Sequence, residues 1–203
     1  MEEHILSLFP DLNQIEDEKI KRKVIQVWKN LIEKSGGEEP EDLLHPLSSY
    51  SPIKKTLVEH LNDVTRMSIE IANFAKKTFK IKVKMDYLIA AANLSDAGAL
   101  LEGGWGKKSK KGSKNETKEV GKLMAHAFIS AHEALNVGLP LEVVHAISVH
   151  ATESSKPPKT VEAIICRYAD MIVDDVFAVY LKRKPLLTSK MPFFESHLFE
   201  KSE

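Results

Sequence analysis

Apolar residues recur along most of this chain at intervals of three and four positions, which is the spacing of one face of an α-helix. No stretch alternates apolar and polar residues for long enough to predict a half-buried β-strand. One helical stripe near the amino terminus consists of Ile20, Val24, Val27, Trp28 and Leu31. The pattern predicts an all-α protein built as a single helical bundle.

Capping and breaking residues set the expected ends of the helices. A glycine pair at 36–37 stops the first helix, and Thr56 followed by Glu59 is a capping box that opens the next one. Asp86 is expected to cap a short apolar helix, and Thr160 a long helix near the end of the chain.

Two further helices are predicted between these. The first contains Leu123 and His126 and ends at Asn136, where Gly138 suits the left-handed position after a helix. The second starts from Pro140 in its first turn and carries His150 on its apolar side.

The composition along the chain divides it into three parts. Residues 1–55 are expected to form an N-terminal helical extension and a connector, and residues 56–181 the helical domain. Within that domain, residues 102–118 are rich in glycine, serine and lysine, which predicts a mobile basic loop. Residues 182–203 are expected to be an irregular tail or a short docking helix.

Length and charge exclude several classes of protein. A chain of 203 residues suits one medium domain, and its 29 basic and 29 acidic side chains balance. A neutral chain gives no reason to expect nucleic acid or an anionic membrane as a partner. No apolar run approaches the roughly 20 residues that cross a bilayer, and the first residues lack a secretory pattern. We therefore expect a cytoplasmic protein.

The single cysteine, Cys166, limits the kinds of metal site available. One cysteine forms no intrachain disulfide and no cysteine-rich zinc site. Histidine and carboxylate ligands remain open, so the eight histidines deserve the closer inspection.

Five polar residues interrupt apolar stripes on five different predicted helices: His60, Asp96, His126, His150 and Asp170. Burying two carboxylates close together is costly unless a cation or hydrogen-bond donors neutralise them. A divalent transition metal would do so, and imidazole with carboxylate suits manganese, iron, nickel, cobalt or zinc. The pattern therefore favours a site for one or two such ions, with a metal-bound water as a possible nucleophile.

Each of these residues also has a simpler interpretation. A lone histidine on an apolar stripe is commonly a hydrogen-bonded core residue, and Asp96 could simply cap a helix end. A helical interaction protein with histidines buried for packing thus stays open. His132 and His145 lie off the apolar stripes and are not expected to be ligands, while Asp174 is expected at the surface or beside the ligands.

The same five residues, with their helical context, resemble the HD superfamily of metal-dependent phosphohydrolases. The resemblance covers roughly residues 56–180. It rests on five segments, each resembling one ligand-bearing helix of that family: TLVEHLNDVTRMSIEIA, YLIAAANLSDAGALLE, GKLMAHAFISAHEAL, PLEVVHAISVHATES and TVEAIICRYADMIVDD. It implies a helical bundle of the HD type.

The resemblance also implies roles for the residues. His60, Asp96 and Asp170 would hold a first metal ion, and Asp96, His126 and His150 a second. Asp96 and Asp170 would also act in catalysis by positioning the attacking water.

Two positions depart from the family pattern. Ser95 stands where the family has the histidine of its His-Asp pair, and Ala99 stands where many members have a lysine. A serine hydroxyl is a poor transition-metal ligand, so Ser95 is expected beside the metal, where it could orient a bound water. Lys107, Lys108 or Lys122 could supply the missing positive charge to a substrate phosphate.

The implied function is hydrolysis of a phosphate ester in a small phosphorylated ligand, with a nucleotide as the expected class. The alternative is a catalytically degenerate HD domain that binds nucleotides or regulates a partner. The loss of the second histidine and of the lysine motivates that alternative. The sequence leaves the oligomeric state open.

Overall fold

A computed structural model describes residues 1–36, 55–102, 119–151, 154 and 156–185, and this part of the chain contains no β-strand. Residues 119–123 are helical, and Pro10–Gln14 form a 3-10 turn. The labelled helices are α1 (Glu2–Leu8), α2 (Glu18–Ser35), α3 (Leu57–Phe79), α4 (Met85–Leu94), α5 (Ala99–Glu102), α6 (His126–Asn136), α7 (Leu141–Val149) and α8 (Val161–Tyr180). The prediction of an all-α protein is confirmed.

The amino-terminal helices pack on the rest of the bundle through Trp28. This side chain is fully buried, stacks on Phe9 with ring centroids 4.6 Å apart, and donates from Nε1 to Asn93 Oδ1 at 2.8 Å. The hydrogen bond satisfies two polar groups that burial would otherwise penalise. It also fixes α2 against α4 close to the end of α4 that carries Asp96.

The long helices α3 and α8 begin as the sequence predicts. The Thr56 hydroxyl accepts from the Glu59 backbone N–H at 3.1 Å, and the Glu59 carboxylate accepts from the Thr56 N–H at 2.8 Å. The hydroxyl of Thr160 accepts from Ala163 N–H at 3.1 Å. These caps satisfy backbone donors that a helix start leaves free, and they fix where each helix begins.

Two predicted helix starts were wrong. Asp86 does not cap α4, because Lys84 occupies the N-cap position and the Asp86 carboxylate accepts from Glu16 N–H and Asp17 N–H at 3.1 and 2.9 Å. The helix predicted to include Leu123 is interrupted, and α6 begins at His126. In the first case a long-range hydrogen bond competes successfully with the local cap.

The alanine-rich helix α4 lies at the centre of the bundle and contacts α2, α3, α7 and α8. Ala90, Ala91 and Ala92 are fully buried. Their small side chains let the surrounding helices approach closely, so the residues that follow α4 emerge where several helices meet.

Several predicted regions lie outside the described residues. These are residues 103–118 of the basic loop, residues 37–54 of the connector and residues 186–203 of the tail. Within the described ranges, none of the helices is long and apolar enough to cross a membrane.

Candidate metal centre

The turn after α4 brings Asp96 against α3 and α8. One carboxylate oxygen, Asp96 Oδ2, lies 2.8 Å from His60 Nε2. The same imidazole nitrogen is 3.1 Å from Asp170 Oδ1. All three side chains are at least 85% shielded from solvent, with exposures of 15, 6 and 11% for Asp96, His60 and Asp170. They form the first donor group.

The other oxygen of Asp96 faces two further histidines. Asp96 Oδ1 lies 3.0 Å from His126 Nε2 and 3.2 Å from His150 Nε2. The two imidazole rings have centroids 5.4 Å apart. Asp96 therefore belongs to both groups, and it offers a different oxygen to each.

The position of His126 depends on close contact between Gly98 and the start of α6. A Cβ at this position would collide with the carbonyl oxygen of His126 and lie 2.9 Å from the Ile129 Cβ. The Gly98 N–H also donates to the buried Ser130 hydroxyl at 2.7 Å. The absent side chain and this hydrogen bond let the start of α6 lie directly on the turn that carries Asp96.

Two of the histidines have a polar contact at their second ring nitrogen, which is a hydrogen bond in His150 and an ion pair in His60. His150 Nδ1 lies 2.7 Å from the Ile147 carbonyl oxygen, to which it can only donate, so in the neutral ring Nε2, on the Asp96 side, carries the lone pair that a metal ion would use. His60 Nδ1 lies 3.5 Å from Asp174 Oδ1. The sequence allowed Asp174 either a surface position or a position beside the ligands, and the structure shows the second. Asp174 lies one turn after Asp170 on the same face of α8.

The pKa values in the metal-free centre follow from burial and opposite charges. Burial disfavours the charged imidazolium of His60, but the close carboxylates of Asp170 and Asp96 outweigh it and hold its pKa well above the usual value. The pKa of His150 is raised in the same way by Asp96. For Asp96, burial is outweighed by His126 and His150, which keep its pKa well below the usual range.

Asp174 responds in the opposite direction. Burial raises the pKa of its carboxyl to about 7, because the charge of His60 only partly compensates burial and the nearby carboxylates of Asp170 and Asp96. Three aspartates therefore crowd around one imidazole, which is an electrostatic arrangement that favours an additional cation.

The arrangement of donors fits a divalent metal. His60, Asp96 and Asp170 each offer an atom within 4.8 Å of the others, and so do Asp96, His126 and His150. Within the described part of the chain, Asp170 Oδ1 is buried and has no hydrogen bond of acceptable geometry, despite its distance of 3.1 Å from His60 Nε2. A buried carboxylate oxygen normally has a partner, and a metal ion would provide it.

Ser95 is adjacent in sequence but bonds elsewhere. Its side chain is fully buried, and Oγ donates to the Ala92 carbonyl at 3.0 Å. The Ser95 hydroxyl has a single proton, and this hydrogen bond to the Ala92 carbonyl uses it.

The two donor groups found among the described residues include none of the other candidates. Lys122 is exposed, while Lys107 and Lys108 lie outside the described residues. His145 accepts from Lys159 N–H at 2.9 Å, and the exposed His132 stacks on Phe128. That these two histidines are not ligands stays a prediction.

The fold and this centre define a helical protein with the donors for one or two divalent metal ions. Comparison with curated proteins gives a relative from Methanocaldococcus jannaschii, dihydroneopterin 2',3'-cyclic phosphate phosphodiesterase, which is 26% identical over 172 residues. The aligned region covers 77% of this chain and 64% of that relative, so the chain spans less than two thirds of its length. No protein-family model matches the chain. No solved structure gives a significant match.

Proposed function

We propose that this protein is an HD-type metal-dependent phosphohydrolase with a modified metal site. The observation that carries the proposal is the shared carboxylate of Asp96, which joins two three-residue donor groups in one buried centre. The distant similarity to a phosphodiesterase supports the same reaction class.

A divalent metal held by these residues would polarise a phosphoryl oxygen and lower the pKa of the attacking water. The carboxylates of Asp96 and Asp170 accept hydrogen bonds from that water and orient it toward phosphorus. A bond forms from the water oxygen to phosphorus while one ester P–O bond breaks, and one proton of the water passes to the departing oxygen. That oxygen becomes a hydroxyl, which leaves as an alcohol from an open ester and stays attached to the product when the ester is cyclic.

Basic side chains are needed to balance the charge on the substrate. We assign this role to Lys122, which precedes α6 by one helical turn, together with Lys107 and Lys108. The buried aspartates carry negative charge next to the reacting phosphate, so cations beyond the metal would reduce the repulsion.

The substrate class that we propose is a phosphate ester of a nucleotide or nucleotide-like alcohol. The curated relative acts, by its name, on dihydroneopterin 2',3'-cyclic phosphate, which is a cyclic phosphodiester. A cyclic phosphodiester is accordingly the first substrate to test, with a phosphomonoester as the second.

The test combines metal content with turnover. Protein purified without chelator or histidine tag would be analysed by mass spectrometry and then loaded separately with manganese, iron(II), cobalt, nickel or zinc. Hydrolysis of adenosine 2',3'-cyclic phosphate and of p-nitrophenyl phosphate would be followed, with Asp96→Ala as the inactive reference. A protein that binds metal stoichiometrically and hydrolyses neither class under any loading would contradict the proposal.

One observation favours a second candidate, the degenerate nucleotide-binding module. Ser95 Oγ is bonded to the Ala92 carbonyl, so the first donor group holds His60 as its single imidazole. This candidate predicts saturable nucleotide binding without turnover, measured by calorimetry. Ser95→His separates the two candidate functions. Turnover in this variant but not in the wild-type protein would show that the site lost its catalytic activity through the serine at position 95.

A further inference from the structure

The outward face of α8 is apolar along its whole length. Within this helix, which is described throughout, every position in the exposed class carries a large apolar or aromatic side chain: Ile164, Tyr168, Ile172, Val176, Val179 and Tyr180. Four of these, from Ile164 to Val176, follow one another at intervals of four residues. The six residues together form a continuous surface, named here the α8 stripe.

Four of the five charged side chains of α8 contact other parts of the protein, and the fifth, Asp175, is half-buried. Asp170 and Asp174 point into the candidate metal centre, Glu162 accepts from Lys84 N–H at 2.8 Å, and Arg167 donates to the Val149 carbonyl at 3.3 Å. A solvent-facing helix surface normally carries its polar residues outward. The reversed pattern indicates that the α8 stripe is covered in the folded protein.

A groove runs beside the α8 stripe where α8 meets α3. Its volume is about 530 Å³, and its apolar lining includes Met67, Ile172, Val176, Phe177 and Tyr180. The charged residues Lys55, Asp63, Arg66 and Glu70 also line it. This space is large enough for more than one aromatic side chain.

The chain reverses direction at the carboxyl end of α8. Lys182 has a positive φ of 55°, and Arg183 N–H donates to the Ala178 carbonyl at 3.0 Å, which closes the helix with a reversal. Pro185 is buried, so the chain has returned to the body of the protein by that point. The residues that follow start at the carboxyl end of the α8 stripe.

The sequence of the following segment suits an apolar surface. Residues 186–203 carry seven large apolar side chains: Leu186, Leu187, Met191, Phe193, Phe194, Leu198 and Phe199. An extended chain of this length reaches about 60 Å, and the 20 residues of α8 span about 30 Å. The segment is therefore long enough to follow the whole stripe and return.

We propose that residues 186–203 bind in cis on the α8 stripe and place Phe193 or Phe194 in the groove between α3 and α8. A covalently attached segment has a high effective concentration at a surface next to its point of attachment, which favours it over a second copy of the chain. This proposal does not depend on the proposed function.

Thiol labelling tests the proposal directly. Val176→Cys places a reactive group in the α8 stripe, and Lys19→Cys places a matched one on exposed α2. The native Cys166 is buried, and burial raises the pKa of its thiol, so it reacts slowly. Labelling by a maleimide would be timed in the full chain and in a chain that ends at Pro185.

We expect Val176→Cys to react at least tenfold faster in the shortened chain, and Lys19→Cys to react equally in both. Equal rates at position 176 would overturn the proposal. Protection that increases with protein concentration, with elution at twice the monomer mass, would overturn it in favour of a dimer. If circular dichroism shows that the shortened chain is unfolded, Phe193→Ser with Phe194→Ser in the full chain replaces it, and unchanged protection there would equally contradict the proposal.

Discussion

The two donor groups of the centre share Asp96 and differ in everything else. The group of His60, Asp96 and Asp170 has one imidazole and two carboxylates, and Asp174 adds a further carboxylate beside it. The group of Asp96, His126 and His150 has two imidazoles and one carboxylate. The first is rich in oxygen and negative charge, and the second is rich in nitrogen.

This difference indicates that the two groups have different metal preferences. Imidazole nitrogen favours zinc, iron, nickel or copper, while carboxylate oxygen suits manganese and magnesium better. The nitrogen-rich group therefore keeps a complete transition-metal donor set even though Ser95 offers no nitrogen to the other group. If a single ion binds tightly, we expect it between His126 and His150.

Asp96→Ala should abolish metal binding by both donor groups at once. Each donor group loses its shared carboxylate, so we expect metal content close to zero after loading and dialysis, measured by mass spectrometry. Glu33→Ala, an exposed carboxylate on α2, serves as the control and should retain full metal content. Stoichiometric metal in the Asp96→Ala protein would show that the ion is held elsewhere.

Single histidine substitutions should separate the two groups. His126→Ala is expected to weaken the tighter ion by more than about 100-fold, beyond the loss typical of an outer partner. His60→Ala should leave that ion largely in place and affect the weaker one. Calorimetric titration with zinc and with manganese measures both, and identical losses in the two variants would contradict a difference between the groups.

Acid should weaken both groups, because protons compete for the same nitrogens. The pKa values of His60 and His150 are raised in the metal-free centre, and a ligand imidazole must be neutral. We expect metal affinity to fall about tenfold per pH unit for each proton displaced. Titrations in buffers of different ionisation enthalpy would count those protons, and affinity independent of pH from 5 to 8 would argue against imidazole ligands.

Stability of the metal-free protein should show the opposite trend. A raised histidine pKa contributes stability that is complete below the unfolded value of about 6.5 and is lost as the pH rises through the folded value. The raised pKa of Asp174, about 7, also lowers stability as the pH rises, but between about pH 4 and 7. The lowered pKa of Asp96 removes stability only in strong acid. Thermal midpoints with chelator should therefore decline above neutral pH, and added metal should reverse the decline.

Asp174→Asn should have the smallest effect, confined to the oxygen-rich group. Asp174 Oδ1 lies near His60 Nδ1, where it can orient the ring and raise its basicity. We expect about tenfold weaker binding of the ion held by His60, with the ion held by His126 unchanged. A titration that shows both ions weakened equally would instead indicate a general loss of folding.

Much of this centre could be predicted because its residues break a simple rule. His60 and Asp170 interrupt otherwise apolar stripes of long helices, and a polar residue in such a position requires a partner. The caps at Thr56 and Thr160 were predictable for a related reason, since they depend only on residues within one turn.

Features that depend on distant contacts were harder to predict. Asp86 has the sequence context of a helix cap, but its carboxylate bonds backbone groups about 70 residues earlier in the chain. The need for glycine at position 98 comes from the approach of α6, which the local sequence does not reveal. Likewise, the contact between Asp174 and His60 depends on how α8 is rotated against α3.

The sharing of Asp96 has a consequence for synthesis of the chain on the ribosome. Asp96 follows His60 by 36 residues, His150 follows Asp96 by 54, and Asp170 comes later still, on the last described helix. Neither donor group is complete when α4 emerges, and the oxygen-rich group must wait for α8. A nascent chain thus exposes several histidines before it can hold an ion in its final geometry, and an ion in the oxygen-rich group is expected only once α8 has emerged.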